Sequence, residues 1–474
     1  MRKSVFQQSR LALSIGAISV AASFTPPVAV AQSESVLEEI IVTARRREEN
    51  LQSVPISINA FNADTLREFN AIALEDIAEL TPGMQFRQIG GTPEVVMRGL
   101  AQTDQIGLQA NVGVFIDGIF LNNRSTIEFN NMDLQRIEVL KGPQSALFGR
   151  NTFAGAINYV TNDARLEEFD GSIDLEYGSD DRIGARGSIN VPLGEHAAVR
   201  LFGGTSEWDG SIKNERGGDN VGGWEDRTTF GFSALLDYER VRLKVFYTDN
   251  ESEDDTGAMR LSSYELNDGG TLYRVPDGAG GTADYWTILT GELSAPESIS
   301  IDSRARGNKG DFWLAYANLD IDLGFSTLTL NASQSESEYS SFLDNIGNPD
   351  AVNQLFFPPN YSRQFFTDLT GDLGEQDTYE VRLTSNADAA FEWLVGWSRF
   401  ESTTGGVLGT TVTLVGDEDT LERITNVEER LIQEIDALFG AVNFPITEQL
   451  NLTAELRYTE EDQTLTDLAE IFFL

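Results

Sequence analysis

The sequence predicts two parts, a small N-terminal α+β domain and an antiparallel membrane β-barrel that follows it. Three observations lead to this fold class. The chain opens with an export signal, residues 51–162 contain mixed short elements, and apolar and polar residues alternate repeatedly over residues 163–474. The alternation is the main evidence for a barrel, because each barrel strand is apolar on only one face.

The composition excludes several classes of protein. The 474 residues include no cysteine, which removes disulfides, thiol catalysis and cysteine-zinc sites, and one histidine, His196. The formal net charge of −41 disfavours nucleic acid as a partner. It suits solvated acidic loops, or attraction of cations. No segment after the N-terminus approaches the roughly 20 apolar residues of a spanning helix.

Residues 1–31 have the layout of a secretory signal peptide. Arg2, Lys3 and Arg10 precede a short apolar run at 11–22, and Ala29-Val30-Ala31 supplies small residues before Gln32. We therefore expect cleavage after Ala31 and a mature chain outside the cytoplasm.

Residues 32–50 form a predicted mobile segment with a β-prone centre. That centre consists of Glu38, Glu39, Ile40, Ile41, Val42, Thr43 and Ala44. Its β-branched residues favour an extended backbone. Such a segment can pair with the sheet edge of another protein, or it can be an edge strand of its own domain. The residues alone leave both interpretations open.

Short strands and helices alternate along residues 51–162. The predicted elements are a strand at 54–58, helices at 65–70 and around 74–80, a strand at 94–98, a hairpin at 112–121, a strand at 137–140, a helix at 144–148 and a strand at 156–160. Asn62 or Asp64 can cap the first helix, Asp117-Gly118 is a hairpin-turn pair, and Gly149 ends the last helix.

This domain lacks the motifs of catalysis. Its glycines do not form a phosphate loop, and its carboxylates at Asp104, Asp117, Asp133 and Glu138 show no convergent spacing. We expect a structural domain with no catalytic residues, no metal site and no cofactor.

The remaining residues contain about eleven alternating strands of ~9–13 residues, near the length that a tilted strand needs to cross a bilayer. Clear examples lie at 241–247, 313–323, 379–383 and 450–458. Connectors are short in places, as at 192–196, and long and polar at 251–310 and 340–375. A soluble sandwich also alternates, but the export signal, strand length and loop asymmetry together favour a membrane barrel.

Several motifs resemble one family, the TonB-dependent outer-membrane receptors. Residues 38–44 (EEIIVTA) resemble the TonB box, 95–99 (VVMRG) and 112–118 (VGVFIDG) resemble plug-domain motifs, and 136–162 (RIEVLKGPQSALFGRNTFAGAINYVTN) resembles the strongest plug signature. Residues 379–385 and 450–459 resemble recurrent barrel strands. The plug-motif residues are Arg98, Gly99, Asp117, Gly118, Glu138, Lys141, Gly142, Pro143, Gly149 and Gly155.

The resemblance implies a fold, partners and a mechanism. A plug of residues 51–162 would fill a nominally 22-stranded barrel, of which residues 163–474 would be the N-terminal part. Ligand would bind outside, and residues 38–44 would pair with TonB, which pulls the plug into motion. Arg98 and Lys141 would contact glutamates of the barrel wall, with Glu380 as the candidate partner. Lysine lacks the bidentate fork of arginine, so Lys141 can offer only a point-charge contact.

At about 25 residues per strand, 310 residues supply roughly twelve strands, so we expect a barrel that is incomplete in this chain. The partners implied are TonB with its inner-membrane complex, outer-membrane lipid and a small ligand, in the outer membrane of a Gram-negative bacterium. The first hypothesis is import of a scarce nutrient, most often a ferric siderophore in this family. A vitamin or carbohydrate receptor and a passive porin or adhesin are alternatives, while nothing supports an enzyme.

Overall fold

A computed structural model describes residues 41–43, 46–47, 49–52, 56–69, 71, 74–89, 92–100, 111–122, 133–214, 220–254, 274–276, 282–284, 301–302, 304–305, 307–344, 365–386, 389–414, 417–447 and 450–471. All belong to one compact unit, residues 40–474. The predicted signal peptide and Glu38, Glu39, Ile40 and Ala44 lie outside the described residues. Among the helices described, none is long and apolar enough to cross a membrane.

In their described parts, the N-terminal segment and the domain that follows it contain nine strands and three helices. In chain order they are β1 Ile41–Val42, β2 Glu49–Asn50, β3 Ser57–Asn62, α1 Ala63–Glu68, α2 Leu74–Leu80, β4 Met84–Ile89, β5 Thr92–Met97, β6 Val112–Ile116, β7 Ile119–Leu121, β8 Leu134–Lys141, α3 Ser145–Phe148 and β9 Gly155–Thr161. The central sheet has the order β3-β8-β9-β6-β7, in which only the β6–β9 pair is parallel. β1 pairs with β2, and β4 pairs with β5, in separate two-stranded sheets.

Local sequence explains how these elements start and turn. The side chain of Asn62, one of the two predicted caps, accepts a hydrogen bond from the Thr65 backbone N–H at 2.8 Å and caps α1, which begins at Ala63 rather than at Thr65. Asp117 and Gly118 both take positive φ values, 48° and 80°, as a tight turn between β6 and β7 requires. Gly149 follows α3 with φ 85° and ends it.

Eleven antiparallel strands then form one continuous barrel sheet. They are β10 Asp170–Tyr177, β11 Ile183–Pro192, β12 Ala197–Trp208, β13 Trp224–Tyr238, β14 Val241–Asp254, β17 Gly307–Asp322, β18 Ser326–Asp344, β19 Phe365–Ser385, β20 Glu392–Leu414, β21 Asp417–Thr447 and β22 Leu450–Ile471. Each pairs with the next, and a separate short pair, β15 Arg274–Pro276 with β16 Thr282–Asp284, lies between β14 and β17. The predicted number of about eleven strands is confirmed for the described residues.

One face of this sheet packs against the N-terminal domain, and the other face points away from that domain. Phe246 and Tyr316 face each other across β14 and β17, and both are buried in the core that the domain shares with the sheet. The neighbouring positions Val245 and Ala317 point to the opposite face. On that face, large apolar side chains stay exposed, as membrane strands require. Examples are Leu201 at 49%, Phe230 at 54%, Leu438 at 57% and Leu456 at 76%.

Strand lengths differ from the sequence prediction. β10 to β12 have 8, 10 and 12 residues, but later strands reach 14 to 31. The outward face of β22 is apolar from Leu450 to Tyr458 and becomes acidic at Glu460 and Asp462. Apolar alternation therefore marks only the lipid-facing part of a strand. The predicted loops 251–310 and 340–375 were therefore too long. In the structure, β14, β18 and β19 extend into these ranges.

Candidate functional site

The predicted TonB-binding segment is docked on the N-terminal domain in its described part. β1 holds Ile41 and Val42 in an antiparallel pair with β2. The Val42 side chain is 0% exposed and packs in a cluster with Leu147 and Phe148 of α3. Two residue pairs make a short sheet, so little backbone hydrogen bonding holds this segment in place.

Thr43 adds a polar contact to a buried carboxylate. Its backbone N–H donates to Glu138 Oε1 at 2.9 Å, and its hydroxyl donates to the same atom at 3.2 Å. Glu138 is 0% exposed and also forms a 2.7 Å ion pair with Arg136. The Asn158 side-chain amide donates to Glu138 at 3.4 Å. A buried carboxylate needs such hydrogen-bond donors to replace its lost hydration, and Thr43 is one of them.

Two arginines that follow residues 38–44 in the same N-terminal segment contact the barrel sheet. Arg46 Nη1 lies 3.2 Å from Glu380 Oε2 on β19, and Arg47 Nη1 lies 3.2 Å from Glu392 Oε2 on β20. Arg47 also donates to the Trp393 carbonyl oxygen at 3.0 Å. The segment is therefore fixed to both the N-terminal domain and the barrel wall.

The predicted contact of Arg98 and Lys141 with Glu380 is wrong for the described residues. Glu380 pairs instead with Arg46 and with Arg382, whose Nη1 is 2.6 Å from Oε1. Arg98 follows β5 with φ 53°, is exposed, and lies over Gly142, which takes φ 109°. Within the described part of the chain, Lys141 has no carboxylate at ion-pair distance. The arginine that reaches the wall comes from the segment before the domain.

Three plug-motif glycines are sites of close approach. A Cβ at Gly142 would lie 2.8 Å from Arg98 Nη1, and one at Gly149 would lie 3.1 Å from Arg457 Nη2. At Gly155 it would collide with the Met97 sulfur. The sequence signature therefore marks positions where other groups pack directly on the backbone.

The Asp117 turn is a second link between domain and wall. Its carboxylate accepts hydrogen bonds from the Thr161 hydroxyl at 2.6 Å and from the Tyr316 hydroxyl on β17 at 2.5 Å. Lys244 Nζ on β14 lies 3.4 Å from Asp117 and forms a closer, 2.5 Å ion pair with Asp163. Burial alone would raise the pKa of Asp117, but Lys244 and these hydrogen bonds together hold that pKa below its usual range.

A third link is made of uncharged groups. Asn122, just after β7, donates from its side chain to Ser402 at 3.3 Å and to Gln433 at 3.2 Å. Its backbone N–H donates to Gln376 Oε1 at 3.1 Å. Gln433 is 0% exposed, so these hydrogen bonds lie inside the protein.

A cavity of about 700 Å³ lies between the domain and the sheet. The Asp117–Phe120 turn and the α3 region line one side, and strands β14 and β17 to β22 line the other. Charged residues of both signs face it. A space of this size and polarity can admit water or a small polar solute.

Sequence reasoning selected Asp117, Glu138 and Glu380 but missed most of their partners. Arg46, Lys244 and Tyr316 are distant in sequence from the carboxylates they contact. The run Arg45-Arg46-Arg47 was a visible signal, since basic residues beside a docking segment favour acidic partners on a wall.

Comparisons with known proteins agree with this architecture. Residues 50–156 match the TonB-dependent Receptor Plug Domain family. The vitamin B12 transporter BtuB of Vibrio vulnificus is 28% identical over 57% of this chain and 43% of its own length. An iron-regulated outer membrane virulence protein of Vibrio cholerae is 21% identical over 48% of this chain and 36% of its own length. The chain thus spans less than half the length of these curated relatives.

Solved structures share the fold at low identity. The ferric yersiniabactin uptake receptor FyuA of Yersinia pestis has a TM-score of 0.65 at 14% identity, covering 88% of this chain and 61% of that one. The ferric preacinetobactin receptor BauA of Acinetobacter baumannii has a TM-score of 0.63 at 14% identity, covering 91% and 62%.

The fold and the matched domain define part of a membrane β-barrel with an N-terminal plug domain. The chain is similar to the TonB-dependent receptors: residues 50–156 match their plug domain, and the described fold matches that of solved receptors of this type. From here the N-terminal domain is called the plug.

Proposed function

We propose that the protein imports a scarce nutrient across the outer membrane and that TonB energises the import through residues 38–44. Its first candidate ligand is a ferric siderophore complex, because the similar solved structures include ferric-siderophore receptors. A cobalamin is the second candidate, since a relative is a vitamin B12 transporter. The export signal with cleavage after Ala31 belongs to the same proposal.

The observation that carries the proposal is the docked segment Ile41–Thr43. It is β-prone and held by two residue pairs to β2 and by Thr43 on Glu138. A strand with so few contacts can exchange its partner for the edge of another sheet at small cost. Arg47 ties it close to the short turn between β19 and β20, on the side where short turns of outer-membrane barrels face the periplasm. That is the side from which TonB acts.

A passive porin is the competing function. It predicts that solute flow is independent of residues 38–44, whereas the TonB proposal predicts an absolute requirement for their backbone. The two functions are therefore distinguished by disrupting strand pairing in this segment without touching the barrel.

The test is Val42→Pro, which removes a backbone N–H and fixes φ. In energised cells that make the full-length protein, we expect uptake of the ferric siderophore or cobalamin to fall at least tenfold. Ligand binding to de-energised cells should stay unchanged. The matched control Val42→Thr keeps the β-branched shape and the N–H, and should retain uptake. Unimpaired uptake by Val42→Pro would favour the passive barrel.

A further inference from the structure

Three arginines and one glutamate meet on the wall of the cavity between plug and barrel. Glu380 is 7% exposed and is shared by Arg46 and Arg382, at 3.2 Å and 2.6 Å. Arg457 on β22 lines the same cavity and lies within electrostatic range of Glu380 and Arg46. We call these four residues the arginine cluster.

Arg457 differs from the other two arginines in its partners. Its Nε donates to the Thr459 hydroxyl at 3.3 Å and its Nη2 donates to the Ser398 hydroxyl at 3.4 Å. Both partners are neutral and both bonds are long. In the described ranges, no carboxylate lies within 4.0 Å of its guanidinium. A guanidinium has five N–H donors, so most of those of Arg457 are available.

The side chain of Arg457 is nevertheless held in position. Its guanidinium carbon lies 5.5 Å from the centre of the Phe439 ring and packs against the backbone at Gly149 of the plug. The group is partly buried and packed on two sides. A preorganised cation of this kind loses little conformational freedom when it binds an anion.

The charge balance of the cluster is positive. Three guanidinium charges against one carboxylate leave a formal +2. The remaining charges that line the cavity pair among themselves, with Arg150 2.7 Å from Glu461 and Lys244 held by Asp117 and Asp163. Uncompensated charge in a partly buried cavity is unfavourable, and a bound anion relieves it.

We propose that the arginine cluster is an oxyanion-binding site. Arg457 and Arg382 supply the forked donors that suit a phosphate, sulfate or carboxylate group, and Arg46 completes the positive wall. Because Arg46 belongs to the segment before the plug while the other two belong to the barrel, the site is complete only while that segment is docked. The inference concerns binding in the resting protein and is independent of the proposed import.

Binding is tested by titrating the detergent-purified protein with inorganic phosphate and, separately, with citrate at constant ionic strength, using calorimetry. We expect saturable binding of at least one of the two, and at least tenfold weaker binding in Arg457→Gln. The matched control is Arg399→Gln, on the opposite face of β20, where Arg399 pairs with Glu401, Glu434 and Asp436. Its affinity should stay within twofold of the parent protein.

The two titrations separate the sources of the oxyanion. Phosphate binding alone indicates a free inorganic anion, and citrate binding alone indicates the carboxylate of an organic solute. Absence of saturable binding for both, or equal affinities in Arg457→Gln and the parent protein, overturns the proposal.

A second measurement avoids dependence on a variant that fails to fold. Phenylglyoxal modifies accessible arginines, and mass spectrometry reports the extent at each position. In the unaltered protein, the binding anion should slow modification of Arg457 at least fivefold and leave Arg399 unaffected. Equal rates at Arg457 with and without the anion contradict the site, whatever the uptake assays show.

Discussion

At the scale of single residues, Asp117 serves the turn and the interface together. Its positive φ suits the β6–β7 hairpin, and its carboxylate points to Thr161, Tyr316 and Lys244. An aspartate selected by turn chemistry alone would be exposed. This one is enclosed by the barrel wall, and its donors keep its pKa low despite burial.

Asp117→Asn should destabilise the protein in a pH-dependent manner. Because the pKa is depressed by folding, the contribution of the carboxylate is complete above the unfolded pKa of about 3.9 and is lost as the pH falls through the lower folded value. We expect a loss of about 1–3 kcal/mol at pH 7. The unfolding midpoints of variant and parent should converge as the pH falls below about 3.9 and through the lower folded pKa. A constant difference across this range would contradict the assignment.

Glu138→Ala should loosen the segment that holds Thr43. Loss of the Thr43–Glu138 hydrogen bonds should destabilise the docked segment by about 1 kcal/mol. This corresponds to about a fivefold rise in the fraction of molecules whose segment is transiently released. The chain has no cysteine, so maleimide labelling of Ile41→Cys reports release without background. Thr43→Val should give a smaller rise because the backbone N–H at position 43 still donates to Glu138. If the two changes share one contact, their combined effect will be less than additive.

At the scale of elements, local signals explain what the sequence could predict. The capped helix α1, the Asp117-Gly118 hairpin and the number of barrel strands follow from side chains within a few residues of each other. β4 was missed because Met84–Ile89 is short and three of its residues are polar. The partners of Glu380 were assigned wrongly because that contact joins residues more than 300 positions apart, and no local pattern encodes it.

The outward face of β12 offers a test of the barrel register. Leu201→Arg places a charge within the apolar part of this face, where it should cost about 2–4 kcal/mol. Glu207 lies on the same face six residues further along β12, and Leu201 and Glu207 are both exposed. For Glu207→Arg the cost should fall to about 0–1 kcal/mol. Refolding titrations into lipid vesicles measure both. Equal costs would mean that the two positions do not differ in membrane depth.

At the scale of the whole molecule, the plug–barrel interface has ion pairs in some places and hydrogen bonds between neutral groups in another. Ion pairs hold the segment at Arg46 and Arg47 and the turn at Asp117. Neutral amides hold Asn122. Hydrogen bonds between neutral amides are individually modest, and they exchange for water bonds at little net cost when the groups separate. The Asn122 contact is therefore suited to be broken and remade if the plug moves.

A disulfide in place of that contact should stop the movement. Asn122 Nδ2 and Ser402 Oγ are 3.3 Å apart. A disulfide needs Cβ atoms roughly 3.5–4.5 Å apart, so its formation between cysteines at these two positions is first verified by mass spectrometry. In the oxidised Asn122→Cys, Ser402→Cys protein we expect normal ligand binding and at least tenfold slower uptake. Reduction should restore uptake, and each single cysteine variant should transport under both conditions. Uptake by the oxidised double variant would show that the ligand passes with this part of the plug fixed to the wall. Any displacement needed for transport would then have to occur elsewhere in the plug.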